Sequence, residues 1–113
     1  MSTLITRTEL QAAIENGSVT VVDALPAAYY EQEHLPGAVN LFVDEAADRA
    51  AEVLPDRGAA IVTYCSNESC QNSEGVAKTL TRLGYTDVRR YVEGIQDWVE
   101  AGLPTESGTR AVA

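Results

Sequence analysis

The residues of this chain best suited to chemistry are two cysteines. Cys65 and Cys70 are separated by four residues within the polar stretch Cys65-Ser66-Asn67-Glu68-Ser69-Cys70-Gln71-Asn72-Ser73. That stretch follows directly on the apolar run Ala59 to Tyr64. A thiolate is the nucleophilic form of cysteine, and positive charge or inward-facing amides are what make it form near neutrality. A strand, a polar loop and a helix in succession supply such amides, together with the positive end of the helix dipole. Cys65, at the strand end, would face that hollow and ionise below the ~8.5 of a free thiol. The same cradle of Ser66, Asn67, Glu68, Ser69, Gln71, Asn72 and Ser73 would hold a persulfide anion. The competing reading makes Cys65 a small apolar residue that closes the strand. Four polar residues after it, and a second thiol in the same loop, favour chemistry.

Cys70 has three readings. It is a resolving thiol that attacks an oxidised or persulfidated Cys65, a relay for sulfur, or a packing residue at the helix start. A Cys65–Cys70 bridge requires the two Cα atoms to lie within about 4.4–6.8 Å. Cysteines this close cannot staple distant segments, so the chain is no disulfide scaffold. One histidine, His34, and no second Cys pair leave no tetrahedral ligand set, and no metal is expected.

These thiols must be positioned by the elements around them. Thr6-Arg7-Thr8-Glu9 is a capping box that opens a helix carrying Leu10 and Ile14 and stopping at Gly17. Val19 to Val22 predicts a buried strand ending at Asp23. Pro26 starts a short helix through Tyr29 and Tyr30. Leu35-Pro36-Gly37 is a turn, and Ala38 to Leu41 a brief strand. Val43, Ala46, Ala47, Ala50 and Val53 recur at helical spacing before Pro55. Ala59 to Tyr64 is a second buried strand. A helix with Val76, Ala77, Leu80 and Leu83 on one face follows the loop. Val88 to Val92 predicts a strand, and Ile95 to Ala101 a last helix. The domain is expected to span residues 1–104, with 105–113 a tail that frays.

Apolar strands alternating with helices imply a three-layer α/β fold, a mostly parallel sheet of about five strands covered by helices on both faces. Ligands bind beyond the carboxyl ends of the strands in such sheets, where Cys65 falls. Asp23 ends a strand on the same edge. It is a candidate supporting residue, although accepting turn amides is its simpler role. His34 reads as a turn residue and Trp98 as core.

The 113 residues carry 17 acidic and 8 basic side chains, a net charge of -9. That balance opposes binding to nucleic acid or to an anionic membrane surface. No apolar run approaches the ~20 residues of a membrane helix. Met1 to Leu10 lacks a basic stretch followed by an apolar block, so a cytoplasmic protein is expected.

Along nearly its whole length the sequence resembles the rhodanese family. The resemblance is carried by Ile5-Thr6 with Glu9-Leu10, Val21-Val22-Asp23, His34-Leu35-Pro36-Gly37-Ala38 with Asn40-Leu41, and Val62-Thr63-Tyr64-Cys65. It continues through Leu83-Gly84-Tyr85, Val88, Glu93-Gly94, Trp98 and Gly102-Leu103-Pro104. The resemblance implies a sulfurtransferase in which Cys65 takes sulfane sulfur as a persulfide and passes it to a thiophilic acceptor. It implies no metal or organic cofactor. The partners it implies are a small-molecule or protein persulfide donor and a thiol acceptor.

The loop departs from the family pattern Cys-Arg-x-Gly-x-Arg-Ser. It is two residues longer when Ser73 is matched to the final serine, and Ser66 and Asn72 stand where the arginines would be. Asp23 is followed by Ala24 and Leu25, where the family places another arginine. A cradle without guanidinium, and with Glu68 inside it, should bind dianionic thiosulfate poorly. Two other classes remain. One is a redox switch or binding module built on the Cys65/Cys70 pair. The other, a phosphatase or arsenate reductase, is disfavoured because no arginine closes the loop after Cys70.

Overall fold

The two β-branched and apolar runs of the sequence lie side by side at the centre of a parallel sheet. The computed structural model describes residues 3–108. In chain order these form β1 (Thr3–Leu4), α1 (Arg7–Asn16), β2 (Thr20–Asp23), α2 (Ala27–Gln32), β3 (Val39–Asn40), a 3-10 turn (Val43–Glu45), α3 (Ala46–Val53), β4 (Ile61–Tyr64), α4 (Asn72–Arg82), β5 (Val88–Tyr91) and α5 (Gly94–Glu100). The five strands take the order β1-β5-β4-β2-β3, and every neighbouring pair is parallel. This is the three-layer α/β architecture that the sequence implies.

Strand alternation divides the core into two halves. Val22, Ile61, Cys65 and Val88 pack on one face with Ala46 and Ala50 of α3 and Val76, Ala77 and Leu80 of α4. Val21, Val62, Tyr64 and Tyr91 face the other way, against Leu10 of α1, Tyr30 of α2 and Trp98 of α5. A buried strand of four residues thus feeds both halves, which is why the central runs are apolar without a break.

The capping box forms as expected. Thr6 Oγ1 accepts from the Glu9 amide and Glu9 Oε1 from the Thr6 amide, at 3.1 and 3.0 Å. α4 meets the rest of its layer closely because residue 75 has no side chain. A Cβ on Gly75 would lie 2.7 Å from Val43 Cγ2.

Four expectations are corrected. β1 was absent from the pattern, since two residues give no period to read. The helix at Val43 starts as a 3-10 turn and becomes α-helical only at Ala46. α4 begins at Asn72, so Asn72 and Ser73 belong to a helix rather than to the loop. The fourth concerns the tail: residues 105–108 are docked, while 109–113 lie outside the described residues. Glu106 and His34 exchange backbone hydrogen bonds, both at 2.8 Å, and Glu106 Oε1 accepts from the Gly37 amide at 2.9 Å. Thr105 Oγ1 donates to Glu33 Oε2 at 2.8 Å. Backbone pairing secures this segment, and hydropathy does not reveal it. Among the described residues no helix is long and apolar enough to cross a membrane.

Truncation after Pro104 removes these bonds and uncovers His34, which is 1% exposed in the whole chain. A loss of about 2 kcal/mol in denaturant unfolding is expected, from several bonds each worth roughly 1 kcal/mol net.

Candidate active site

β4 lies between β2 and β5 and runs out at Tyr64, so Cys65 leaves the sheet at its carboxyl edge. The loop from Cys65 to Gln71 then turns back into α4. Two hydrogen bonds from the start of α5 fix its first turn. The Ile95 amide donates to Cys65 O at 2.9 Å, and the Gln96 amide to Ser66 O at 3.0 Å. In a trans peptide the carbonyl and the following N–H point in opposite directions. With both carbonyls turned toward α5, the Ser66 and Asn67 amides face away from it. The amides of Ser66, Asn67 and Glu68 donate no hydrogen bond among the described residues.

The approach of α5 depends on a glycine. Gly94 has φ +74°, and a Cβ there would lie 2.5 Å from Cys65 O and 2.7 Å from Ser66 O. Any side chain would push the loop off its anchor.

Cys65 is 1% exposed and joined to Cys70 as a disulfide, with the Cα atoms 6.3 Å apart. That spacing lies within the range that a bridge requires. Its Sγ also sits 3.3 Å from Cys70 O. The sulfur is therefore buried but turned into the loop. In this oxidised form it is covered, and reduction is needed before it acts as a nucleophile.

The other loop residues divide into two groups. Glu68, Ser69 and Gln71 are exposed. Asn67 is folded over the chain, its Oδ1 accepting from the Ser69 amide at 2.9 Å and its Nδ2 donating to Gln96 Oε1 at 3.2 Å. Asn72 and Ser73 act as braces. Asn72 Nδ2 donates to Ala24 O at 3.2 Å, tying α4 to the exit of β2. Ser73 is buried, and its carbonyl accepts from Thr63 Oγ1 at 3.0 Å. Among the described residues these side chains brace the loop, and the Ser66, Asn67 and Glu68 amides are left without a hydrogen-bond acceptor.

Asp23 does not join the loop. It is in register with Tyr64, so its side chain shares Tyr64's face and is opposite to that of Cys65. Its carboxylate accepts from the Leu25 amide and the Tyr64 hydroxyl, both at 2.8 Å. Tyr64 in turn accepts from the Leu35 amide at 3.1 Å. Burial pushes the Asp23 carboxyl up to about 6, against the pull of these two hydrogen bonds. Burial first, and then the neighbouring Asp23 charge, raise the Tyr64 hydroxyl above its ordinary value. His34 is stacked on Tyr30, with ring centroids 3.9 Å apart, and its Nδ1 donates to Tyr30 O at 2.7 Å. It is a buried turn residue packed on Tyr30, which belongs to the half of the core opposite Cys65.

A cavity of about 160 Å³ adjoins the loop on its α5 side, lined by Asn67, Glu68, Glu93, Gln96, Asp97 and Glu100. Its four carboxylates make it hostile to anions. Sequence reading missed the α5 amides and the guanidinium of Arg90, which donates to Ser73 Oγ from Nε at 3.4 Å and from Nη2 at 3.3 Å. Parity along β5 is the signal for the latter, since Arg90 follows the inward-facing Val88 by two.

A five-stranded parallel sheet with a thiol loop at the carboxyl edge of its central strand defines a three-layer α/β protein with a cysteine site. The rhodanese-like domain family matches residues 6–101, and the chain belongs to it. The HTH-type transcriptional regulator Rv0324 of Mycobacterium tuberculosis is 39% identical over 104 residues, which are 92% of this chain and 45% of that protein. Thiosulfate sulfurtransferase PspE of Escherichia coli is 30% identical over 76 residues, 67% of this chain and 70% of that one. The chain thus spans less than half of the first relative's length. The crystal structure of the BH2092 protein from Bacillus halodurans shares the fold, with a TM-score of 0.86 at 24% identity, over 94% of this chain and 77% of that one.

Two outcomes test this geometry. Gly94→Ala should lose about 2 kcal/mol or more in denaturant unfolding, from the strained φ and the clash with the loop. For Asp23, the folded state favours the protonated carboxyl. Its contribution is therefore complete below the ordinary carboxylate range and is lost as pH rises through about 6. Asp23→Asn should gain stability relative to the parent between about pH 4 and about pH 7, by no more than about 3 kcal/mol.

Proposed function

We propose that this domain is a sulfurtransferase that carries sulfane sulfur on Cys65. The observation that supports it most is the placement of Cys65 at the carboxyl edge of the central strand, under a loop whose carbonyls are drawn aside by α5. In the reduced protein the Cys65 thiolate attacks the sulfane sulfur of a donor persulfide. The S–S bond of the donor breaks, its thiolate leaves, and Cys65 becomes a persulfide. The Ser66, Asn67 and Glu68 amides stabilise the terminal sulfur anion. A thiolate acceptor then takes that sulfur and Cys65 is regenerated. Cys70 offers a second exit. Its thiolate attacks Cys65 Sγ, hydrosulfide leaves, and the Cys65–Cys70 disulfide remains until a thiol reductant opens it.

The loop holds no arginine and an acidic cavity lies against its α5 side, so a neutral or protein-bound persulfide suits it better than thiosulfate. The acidic balance of the chain points the same way.

Two observations favour a second reading, a thiol-based regulatory module. The thiols are already paired, and one relative is named as a transcriptional regulator. In that case the disulfide is the output and no acceptor is served.

Intact-mass measurement on the reduced chain after treatment with a persulfide donor separates the two. The enzyme reading expects a gain of one sulfur atom in Cys70→Ser that is absent in Cys65→Ser, with hydrosulfide released by the wild-type chain and not by Cys70→Ser. Loss of two hydrogens in the wild-type chain, with no hydrosulfide released and no sulfur gained in Cys70→Ser, would leave only the switch.

A further inference from the structure

Arg90 is a guanidinium without a carboxylate. Among the described residues, Arg7, Arg49, Lys78 and Arg89 each lie within ion-pair distance of an acid. Arg57 donates to Leu83 O and covers the Tyr85 ring. Arg90 is partly buried, and its only hydrogen bonds there go to one neutral hydroxyl, Ser73 Oγ. A desolvated charge that meets only a hydroxyl is poorly compensated, and an anion nearby would stabilise it.

Its location says which anion. Arg90 is the register partner of Thr63, two residues before Cys65, and β5 adjoins β4 throughout. Val88, two residues earlier on β5, packs in the same half of the core as Cys65. Thr63 and Arg90 converge on Ser73, one through its carbonyl and the other through its hydroxyl. Ser73 lies in the first turn of α4, the helix whose amino end closes the thiol loop. One neutral residue, Ser73, therefore links the free guanidinium to the frame of the cysteine site.

We infer that Arg90 is a positioning residue for the Cys65 anion: it clamps Ser73 at the start of α4 and supplies, from the neighbouring strand, the positive charge that Ser66 and Asn72 do not. The charge that family members carry within the loop has moved to β5. This rests on Cys65 acting as an anion in the reduced protein, and not on the fate of the sulfur it carries. Opposite charge favours the thiolate, and its removal moves the balance toward the thiol.

The test is the ionisation of Cys65 in the reduced Cys70→Ser chain, followed by the ultraviolet absorbance of the thiolate against pH, which needs no access for a reagent. Arg90→Gln should raise the midpoint by about one pH unit, a tenfold drop in thiolate well below it. Arg90→Met, which retains the apolar stem, should do the same, and Arg90→Lys should stay near the parent. Ser73→Ala, which breaks the clamp and leaves the charge, should shift it less than Arg90→Gln. An unmoved midpoint in either uncharged variant overturns the inference, as does a lysine variant that behaves like glutamine. A parent midpoint no lower than that of a free thiol overturns it too. A shifted midpoint without one-sulfur loading of the Cys70→Ser chain would remove sulfur transfer and leave Arg90 in its role. Loading with an unshifted midpoint would do the reverse.

Discussion

The thiol loop has its shape because two amides of α5 reach the carbonyls of Cys65 and Ser66. Everything downstream follows from peptide geometry. A carbonyl that is held on one side commits the next N–H to the other, so the α5 contacts decide where the loop's donors face. They need α5 to begin almost in contact with the loop, and Gly94 alone permits that approach. Trp98, buried under the opposite face of the sheet with its Nε1 donating to Pro104 O at 2.7 Å, fixes the same helix from its far end. Packing on one side of the sheet thereby sets backbone chemistry on the other.

The second contribution comes from β2 and α4. Asn72 joins the helix start to the exit of β2, and Thr63 joins it to β4. The loop is thus a short span between elements that are each tied to the sheet. Such a span has few conformations to lose on binding an anion, which lowers the entropic cost of holding it. The price of this arrangement is cover: the sulfur of Cys65 is buried, and the bridge to Cys70 closes over it. Access and oxidation state are one variable here.

Much of this was legible in the residues. The capping box at Thr6 and Glu9, the β-branched strands and the polar stretch after Tyr64 each have a local physical cause, and each formed where expected. The carboxyl-edge position of Cys65 followed from the parallel sheet alone. What escaped is non-local. Strand β1 is too short for a pattern, and the docking of Thr105 and Glu106 combines backbone pairing with side-chain bonds to residues some seventy positions away. The side of the sheet that Asp23 occupies depends on register, which shifts by a face with each residue. Parity along β5 gave the face of Arg90, but only pairing with Thr63 brings it to Ser73. Composition located the thiols, and tertiary pairing determined which charges surround them.

The sheet has one further property. Its outermost strands, β1 and β3, are each only two residues long. A sheet margin with so few unpaired backbone groups offers little template for a strand from another molecule. The four-residue strands each have a neighbour on both sides, and β2 and β5 are paired outward at two positions each. Among the described residues, copies of this domain present only short stretches of ladder on which cross-β stacking could begin.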